Sequence, residues 1–296
     1  MNPELEKQIN QIQISCKRPV DEVLAGEYRS VFKGRGLDFD EVREYQFGDD
    51  VRLIDWNVTA RTGKAHIKRF IEERELSVYF IVDFSASGLF TTVEHTKNKA
   101  AAELCALLAF SANKNNDKVG LIIFTDKVEL YIPPGKGRSH ILRIINQLLE
   151  FKPENTGTSI RAALDFFGGI TKKHCVAFLI SDFQDSNFTE EMAILAQQHD
   201  MVSVSLTDRL EKKLPDAGLV EFNGLESEGT IILDTSSERV RDDYYAKMEE
   251  SRKELTNLFR DHQVDHIEIY TDQDYVQELI KFFRSRERRV ADETGG

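Results

Sequence analysis

Val78-Tyr79-Phe80-Ile81-Val82-Asp83-Phe84-Ser85-Ala86-Ser87 sets an unbroken apolar run directly ahead of a carboxylate and two hydroxyls at alternate positions. A short run with no polar interruption reads as a strand covered on both faces. The polar residues then fall where that strand runs out into a loop. Their oxygens are hard ligands, suited to Mg²⁺ or Mn²⁺ rather than to zinc or copper. A later segment repeats the design, with Val176-Ala177-Phe178-Leu179-Ile180 running into Ser181-Asp182-Phe183. Thr158, in Thr156-Gly157-Thr158, adds a hydroxyl at an expected helix start. Open α/β sheets bind ligands beyond the carboxyl ends of their strands, where the strand order switches. Asp83, Ser85, Ser87, Thr158 and Asp182 are therefore expected to meet as one metal site.

The surrounding chain alternates strand and helix. The 76–84 strand is followed by an expected helix near 94–115, with Ala100, Leu104, Leu107 and Leu108 at helical spacing. Strands over 119–124 and 128–132 flank a tight turn at Thr125-Asp126-Lys127. Helices follow near 138–150 and 158–170, then a strand at 174–181, a helix at 189–199 and a strand at 202–206. A hairpin is expected within 217–234. The helix expected over 237–262 turns Tyr244, Met248, Leu255, Leu258 and Phe259 inward. A strand at 266–271 and a helix carrying Val276, Leu279, Ile280 and Phe283 close the chain. This pattern predicts a three-layer α/β domain, a mostly parallel sheet with helices on both faces.

Ahead of it, residues 3–32 read as helical, with Leu5, Ile9 and Ile12 on one face. Residues 34–75 are dense in charge and aromatics. Leu53-Ile54-Asp55-Trp56 and His66-Ile67-Lys68-Arg69-Phe70-Ile71 suggest strands, with turns at Phe47-Gly48-Asp49 and Thr62-Gly63-Lys64. The expected division is an amino-terminal appendage over 1–75 and the α/β domain over 76–296. Two readings of the charged block stand side by side. Arg43, Arg52 and Arg61 pair with Asp49 and Asp55 in a bracing network over a packed Trp56. Alternatively, the same residues form a docking surface beside the metal site.

The bulk properties narrow the function. A net charge of −12 over 296 residues disfavours general nucleic-acid binding. Arg284, Arg286, Arg288 and Arg289 end an expected helix, where cations complement the macrodipole. Cys16, Cys105 and Cys175 are too scattered for a disulfide framework or a zinc site. No apolar stretch reaches the roughly 18 residues of a membrane helix, and Met1 to Lys17 is too polar for a secretory signal. A cytoplasmic location is expected. Gly135-Lys136-Gly137-Arg138-Ser139 lacks phosphate-loop spacing, and no Gly-x-Ser-x-Gly elbow occurs. A helix is expected to end between His262 and His266, which argues against zinc there. The expectation is a non-enzymatic binding module. The alternative is a Mg²⁺-dependent hydrolase or phosphatase using the same carboxylates, for which no nucleophile or general base stands out.

Asp83-x-Ser85-x-Ser87, followed by Thr158 and Asp182, resembles the metal-ion-dependent adhesion site of von Willebrand factor A domains. The flanking signature narrows the resemblance. Gly34-Arg35-Gly36-Leu37-Asp38-Phe39, Val42-Arg43-Glu44-Tyr45, Gly48-Asp49-Asp50-Val51-Arg52, Ile54-Asp55-Trp56-Asn57 and Thr59-Ala60-Arg61 resemble a bacterial family, domain of unknown function fifty-eight. Genes of that family often accompany MoxR-type AAA+ ATPases. Ala86 and Gly88 depart from the residues commoner in such domains, but neither position supplies a ligand oxygen. The resemblance implies a Mg²⁺ or Mn²⁺ held by the five residues and completed by a partner's acidic side chain. It also implies a MoxR-type ATPase as machinery and a client protein as target.

Overall fold

The computed structural model describes residues 3–32, 37–72, 76–89, 96–185, 187–223 and 230–294. They fall into two compact units, one spanning 33–76 and the other gathering 1–32 with 77–296. The chain starts with α1 (Pro3–Pro19), a π-helical turn (Val20–Leu24) and α2 (Ala25–Val31). Buried Ile9, Ile12, Cys16, Val20, Leu24, Tyr28 and Phe32 form one stripe along them. Steps of four residues overshoot the 3.6-residue turn by about 40° each, so a plain α-helix would rotate such a stripe off its face. The π turn takes in extra residues per turn and restores the phase. It begins beside Pro19, whose missing N–H already interrupts the ladder.

The smaller unit contains β1 (Leu37–Glu44), α3 (Trp56–Thr62) and β2 (His66–Glu72), with β1 and β2 antiparallel. Arg43 forks onto Asp49 at 2.9 and 2.7 Å, and the Gln46 N–H donates to the same carboxylate at 2.8 Å. Leu53-Ile54-Asp55-Trp56 is not the expected strand. Asp50 accepts from the Arg52 N–H to start a 3₁₀ turn, and Asp55 accepts from the Asn57 and Val58 N–H groups to cap α3. Local side-chain capping outweighs the alternating pattern. Ile54 keeps only an isolated bridge to Ile67. Trp56 is not packed beneath a network; it is 70% exposed. Arg52 and Arg61 are exposed too, and the Arg43–Asp49 fork and the aspartate caps brace the turns.

The larger unit continues with β3 (Ser77–Asp83), α4 (Lys97–Lys114), β4 (Lys118–Phe124), β5 (Val128–Gly135) and α5 (Arg138–Glu150). Next come α6 (Ile160–Ile170), β6 (Val176–Ser181), α7 (Thr189–Gln198), β7 (Asp200–Thr207) and a one-turn α8 (Arg209–Lys212). The hairpin β8 (Leu219–Asn223) and β9 (Thr230–Asp234) precedes α9 (Glu238–Asp261), β10 (Asp265–Tyr270) and α10 (Tyr275–Thr294). Six strands form one sheet in the order β10-β7-β6-β3-β4-β5. All neighbours are parallel except β5, which returns antiparallel beside β4 and carries Pro133 and Pro134 at the sheet edge.

One face of the sheet packs Tyr79, Ile81 and Leu179 against Phe167 of α6, Met192 of α7 and Phe259 of α9. On the other face, Phe178 packs on Phe80 and on Phe32, and Phe32 also packs on Phe283 of α10. This is an α/β unit with a mostly parallel sheet and helices on both faces. Along α9 the expected inward stripe holds: Phe259 is fully buried, and Tyr244, Met248, Leu255 and Leu258 are partly covered, with the Tyr244 hydroxyl donating to the Glu211 carbonyl at 2.8 Å. No helix among the described residues is long and apolar enough to cross a membrane.

The amino-terminal helices were expected in the appendage, yet they belong to the α/β unit. Their buried stripe needs an apolar face, and the rings of Phe178 and Phe283 provide it. Tyr28, fully buried, also donates to Asp117 Oδ2 at 3.0 Å. Tyr28→Ala should lower the unfolding free energy by about 3–5 kcal/mol, and Tyr28→Phe by about 1–3 kcal/mol through the lost hydrogen bond to a buried carboxylate. Urea titration followed by far-ultraviolet circular dichroism measures both. Melting of the sheet unchanged in both variants would mean these helices are dispensable to it.

Candidate metal-ion site

The central strand β3 lies between β4 and β6, and the chain departs from β3 and β6 toward opposite faces. After β3 it runs to α4; after β6 it runs to α7, whose Met192 lies in the core of the opposite face. Loops that part in this way leave a crevice at the carboxyl ends of the two strands. Asp83 is the last residue of β3, and Asp182 directly follows the last residue of β6. A cleft there is lined by Asp83, Ser87, Lys97, Asn98, Ser181 and Asp182.

Asp83 is buried, and both of its oxygens accept hydrogen bonds. The Ser85 N–H donates to Oδ1 at 2.9 Å, and the Ser181 hydroxyl donates to Oδ2 at 2.6 Å. The Ser181 oxygen in turn accepts from the Phe183 N–H at 3.0 Å. Phe183 has a φ of +57°, a left-handed conformation that costs a non-glycine residue about 1–3 kcal/mol. Its ring packs on Phe188 and Phe259, which holds that turn in place. Burial raises the Asp83 carboxyl to about 6, against the opposing pull of its hydrogen bonds to Ser181 and Ser85. Ser85 and Ser87 are also buried, with their hydroxyl oxygens 3.0 Å apart.

Thr158 lies one residue ahead of Ser159, whose hydroxyl accepts from the Ala162 N–H and caps α6. Its loop is stitched to its neighbours. The Ala86 N–H donates to the Thr156 carbonyl at 3.0 Å, and the Ser159 N–H donates to the Thr125 carbonyl at 2.8 Å. Glu129 of β5 accepts from the Glu154 and Asn155 N–H groups, and Asp185 accepts from the Ile160 N–H. The backbone thus brings the Thr158 loop to the loop that carries Ser85 and Ser87.

Asp182 stands in a different environment. Its Oδ2 accepts from Lys97 Nζ at 2.9 Å, and the same ammonium meets Glu211 Oε1 at 2.6 Å. Only 4% of the Lys97 side chain is exposed. Burial alone would lower its pKa, but Asp182 and Glu211 outweigh burial and hold it above the ordinary lysine value. Glu211 is fixed in turn by a capping box with Asp208 at the start of α8. Sequence reasoning missed Ser181, Lys97 and Glu211. The Asp208-x-x-Glu211 spacing was a readable cap signal, whereas nothing local marks Lys97 as inward-facing.

The donor chemistry suits a hard cation on one side of the cleft. Neighbouring oxygens around a six-coordinate Mg²⁺ at about 2.1 Å lie about 3.0 Å apart. The Ser85 and Ser87 hydroxyls are hydrogen-bonded to each other at 3.0 Å, a separation that two such ligands of one ion would also have. Burial is what raises the Asp83 carboxyl, and a bound divalent ion would offset that cost. Among the described residues no three Asp, Glu, His or Cys side chains gather as a metal cluster, so any such site relies on the hydroxyls. Asp182 fits less simply, because a lysine already holds it.

The buried Asp83 makes folding depend on pH. Its native pKa, about 6, lies above the ordinary 3.8, so the native state holds the extra proton between those values. That stabilisation is fully present below about pH 4 and is lost as pH rises through 6, leaving a penalty of roughly 2–3 kcal/mol at pH 8. In chelator-treated protein, Asp83→Asn should therefore melt higher than the parent at pH 8, with the gap closing as pH falls to 4. A pH series of thermal melts checks this; a gap that widens toward acid would contradict it.

Residues 41–254 match the sequence family described as "Protein of unknown function DUF58". The chain is 28% identical over 291 residues to "Uncharacterized protein Mb1516" of Mycobacterium bovis and "Uncharacterized protein Rv1480" of Mycobacterium tuberculosis. The alignment covers 97% of this chain and 91% of each relative. Among solved structures it is similar to the conserved hypothetical protein BatB from Bacteroides thetaiotaomicron. That match has a TM-score of 0.47 and 15% identity, and covers 72% of this chain and 99% of that one. The family match crosses both compact units, and the chain belongs to the DUF58 family.

Proposed function

We propose that this chain is a metal-dependent protein-binding module of the von Willebrand factor A kind, an adaptor between a MoxR-type AAA+ ATPase and its client. The observation that carries the reading is a buried carboxylate, Asp83, ending the central strand beside two buried hydroxyls, Ser85 and Ser87, that are hydrogen-bonded to each other. Asp83, Ser85 and Ser87 would hold a Mg²⁺ or Mn²⁺, with Thr158 and Asp182 at the margin of its shell. When bound, the ion supplies a Lewis-acidic position for an Asp or Glu of the partner. The chain's own part is to hold those oxygens in a buried crevice, where water screens the charge poorly.

A second surface supports the adaptor role. Phe47, Val51, Leu53 and Trp56 are exposed on the smaller unit, with Arg52 and Arg61 in the same segment. Exposed aromatic and arginine side chains are the usual anchors of protein interfaces. Arg43, Asp49 and Asp55 brace the turns that present them. The ATPase partner follows from the resemblance of the 34–61 signature to a family whose genes accompany such ATPases.

The direct test is calorimetric titration of the purified ATPase from the same organism into this chain. Asp83→Ala should weaken binding at least about tenfold, the scale of losing a charged anchor, while leaving circular dichroism unchanged. The substitution, unlike chelation, leaves the ATPase's own magnesium alone. Equal affinity for parent and Asp83→Ala would reject the metal-dependent reading. Mn²⁺-dependent turnover of a phosphoester that is lost with Asp182→Ala would favour an enzyme instead.

A further inference from the structure

Lys97 and Glu211 lie outside the donor set but touch it. The Lys97 ammonium is almost wholly buried, 2.9 Å from Asp182 Oδ2 and 2.6 Å from Glu211 Oε1. A lysine placed this way already neutralises the carboxylate that a divalent ion would otherwise recruit. It also puts a fixed positive charge in the same cleft as Asp83 and Ser87. Glu211 keeps it there, locked by the Asp208 capping box on the following helix.

We propose that Lys97 is a specificity-determining residue that sets the divalent-cation affinity of the Asp83–Ser85–Ser87 site from within, by withholding Asp182 from the ion. The inference rests on the metal-site reading above. Two effects act in the same direction. The ammonium repels a second cation across a poorly screened gap, and it occupies an oxygen of the second carboxylate. A site weakened in this way binds its ion most tightly when an incoming acidic side chain replaces the withheld carboxylate. Metal binding and partner binding are thereby coupled, and the acidic partner is selected over a neutral one.

The experiment measures Mn²⁺ binding to the full chain by the paramagnetic resonance of free Mn²⁺, with circular dichroism confirming the fold. The set is the parent, Lys97→Gln, Asp182→Asn and the double variant. Lys97→Gln should bind Mn²⁺ at least about tenfold more tightly, the scale of removing a unit charge near the ion. Asp182→Asn should weaken binding far more in the Lys97→Gln background than in the parent, because only there is the carboxylate released. Parent-like or weaker binding by Lys97→Gln, with the parent binding Mn²⁺, overturns the role of Lys97 and leaves the metal site standing. No binding by any of the four overturns the metal site itself. Should Lys97→Gln fail to fold, Glu211→Gln decides. Removing the outer anchor leaves the whole ammonium to Asp182, so binding weakens; equal or tighter binding overturns the proposal.

Discussion

A carboxylate withdrawn from water at the end of the central strand constrains the architecture around it. Asp83 can be buried only because backbone and hydroxyl donors reach both of its oxygens. Those donors come from two strand ends, β3 and β6, which must therefore be neighbours in the sheet. Ser181 carries the constraint further. Its single oxygen satisfies Asp83 and also fixes the left-handed turn at Phe183, whose ring joins the core under α7 and α9. Site and core are thus one mechanical unit, and a change in the ring packing is felt at the carboxylate.

Much of this was legible in the sequence because the relevant patterns are continuous. Val78–Val82 and Val176–Ile180 are apolar at every position, which only a doubly covered strand explains, and both pair in the central sheet. Asp83 and Asp182 inherited their places from those strands. Other features were hidden for physical reasons. Leu53-Ile54-Asp55-Trp56 alternates like a strand, but Asp50 and Asp55 each offer a carboxylate to nearby backbone N–H groups and a helical turn wins. Charge density around Trp56 suggested a covered ring, yet the aspartates are occupied with caps and with Arg43, and the indole is left outside.

Residues 3–32 and Lys97 show two different limits. The stripe from Ile9 to Phe32 was visible as helix, but its partner surface is built from Phe178 and Phe283, far along the chain. Lys97 is the harder case. Lysine is among the residues least often buried, and its burial here depends on two carboxylates, one from the loop after β6 and one from α8. Local pattern cannot encode a charge pair of that kind. Only the meeting of α4, the β6 loop and α8 makes it favourable.

The two prolines of β5 have an effect on how the sheet can associate. β5 is the outermost strand, and an incoming strand would need amide hydrogens along its open side. Pro133 and Pro134 have none to give. Growth of the sheet by lateral addition is discouraged along that margin, which guards against edge-to-edge aggregation.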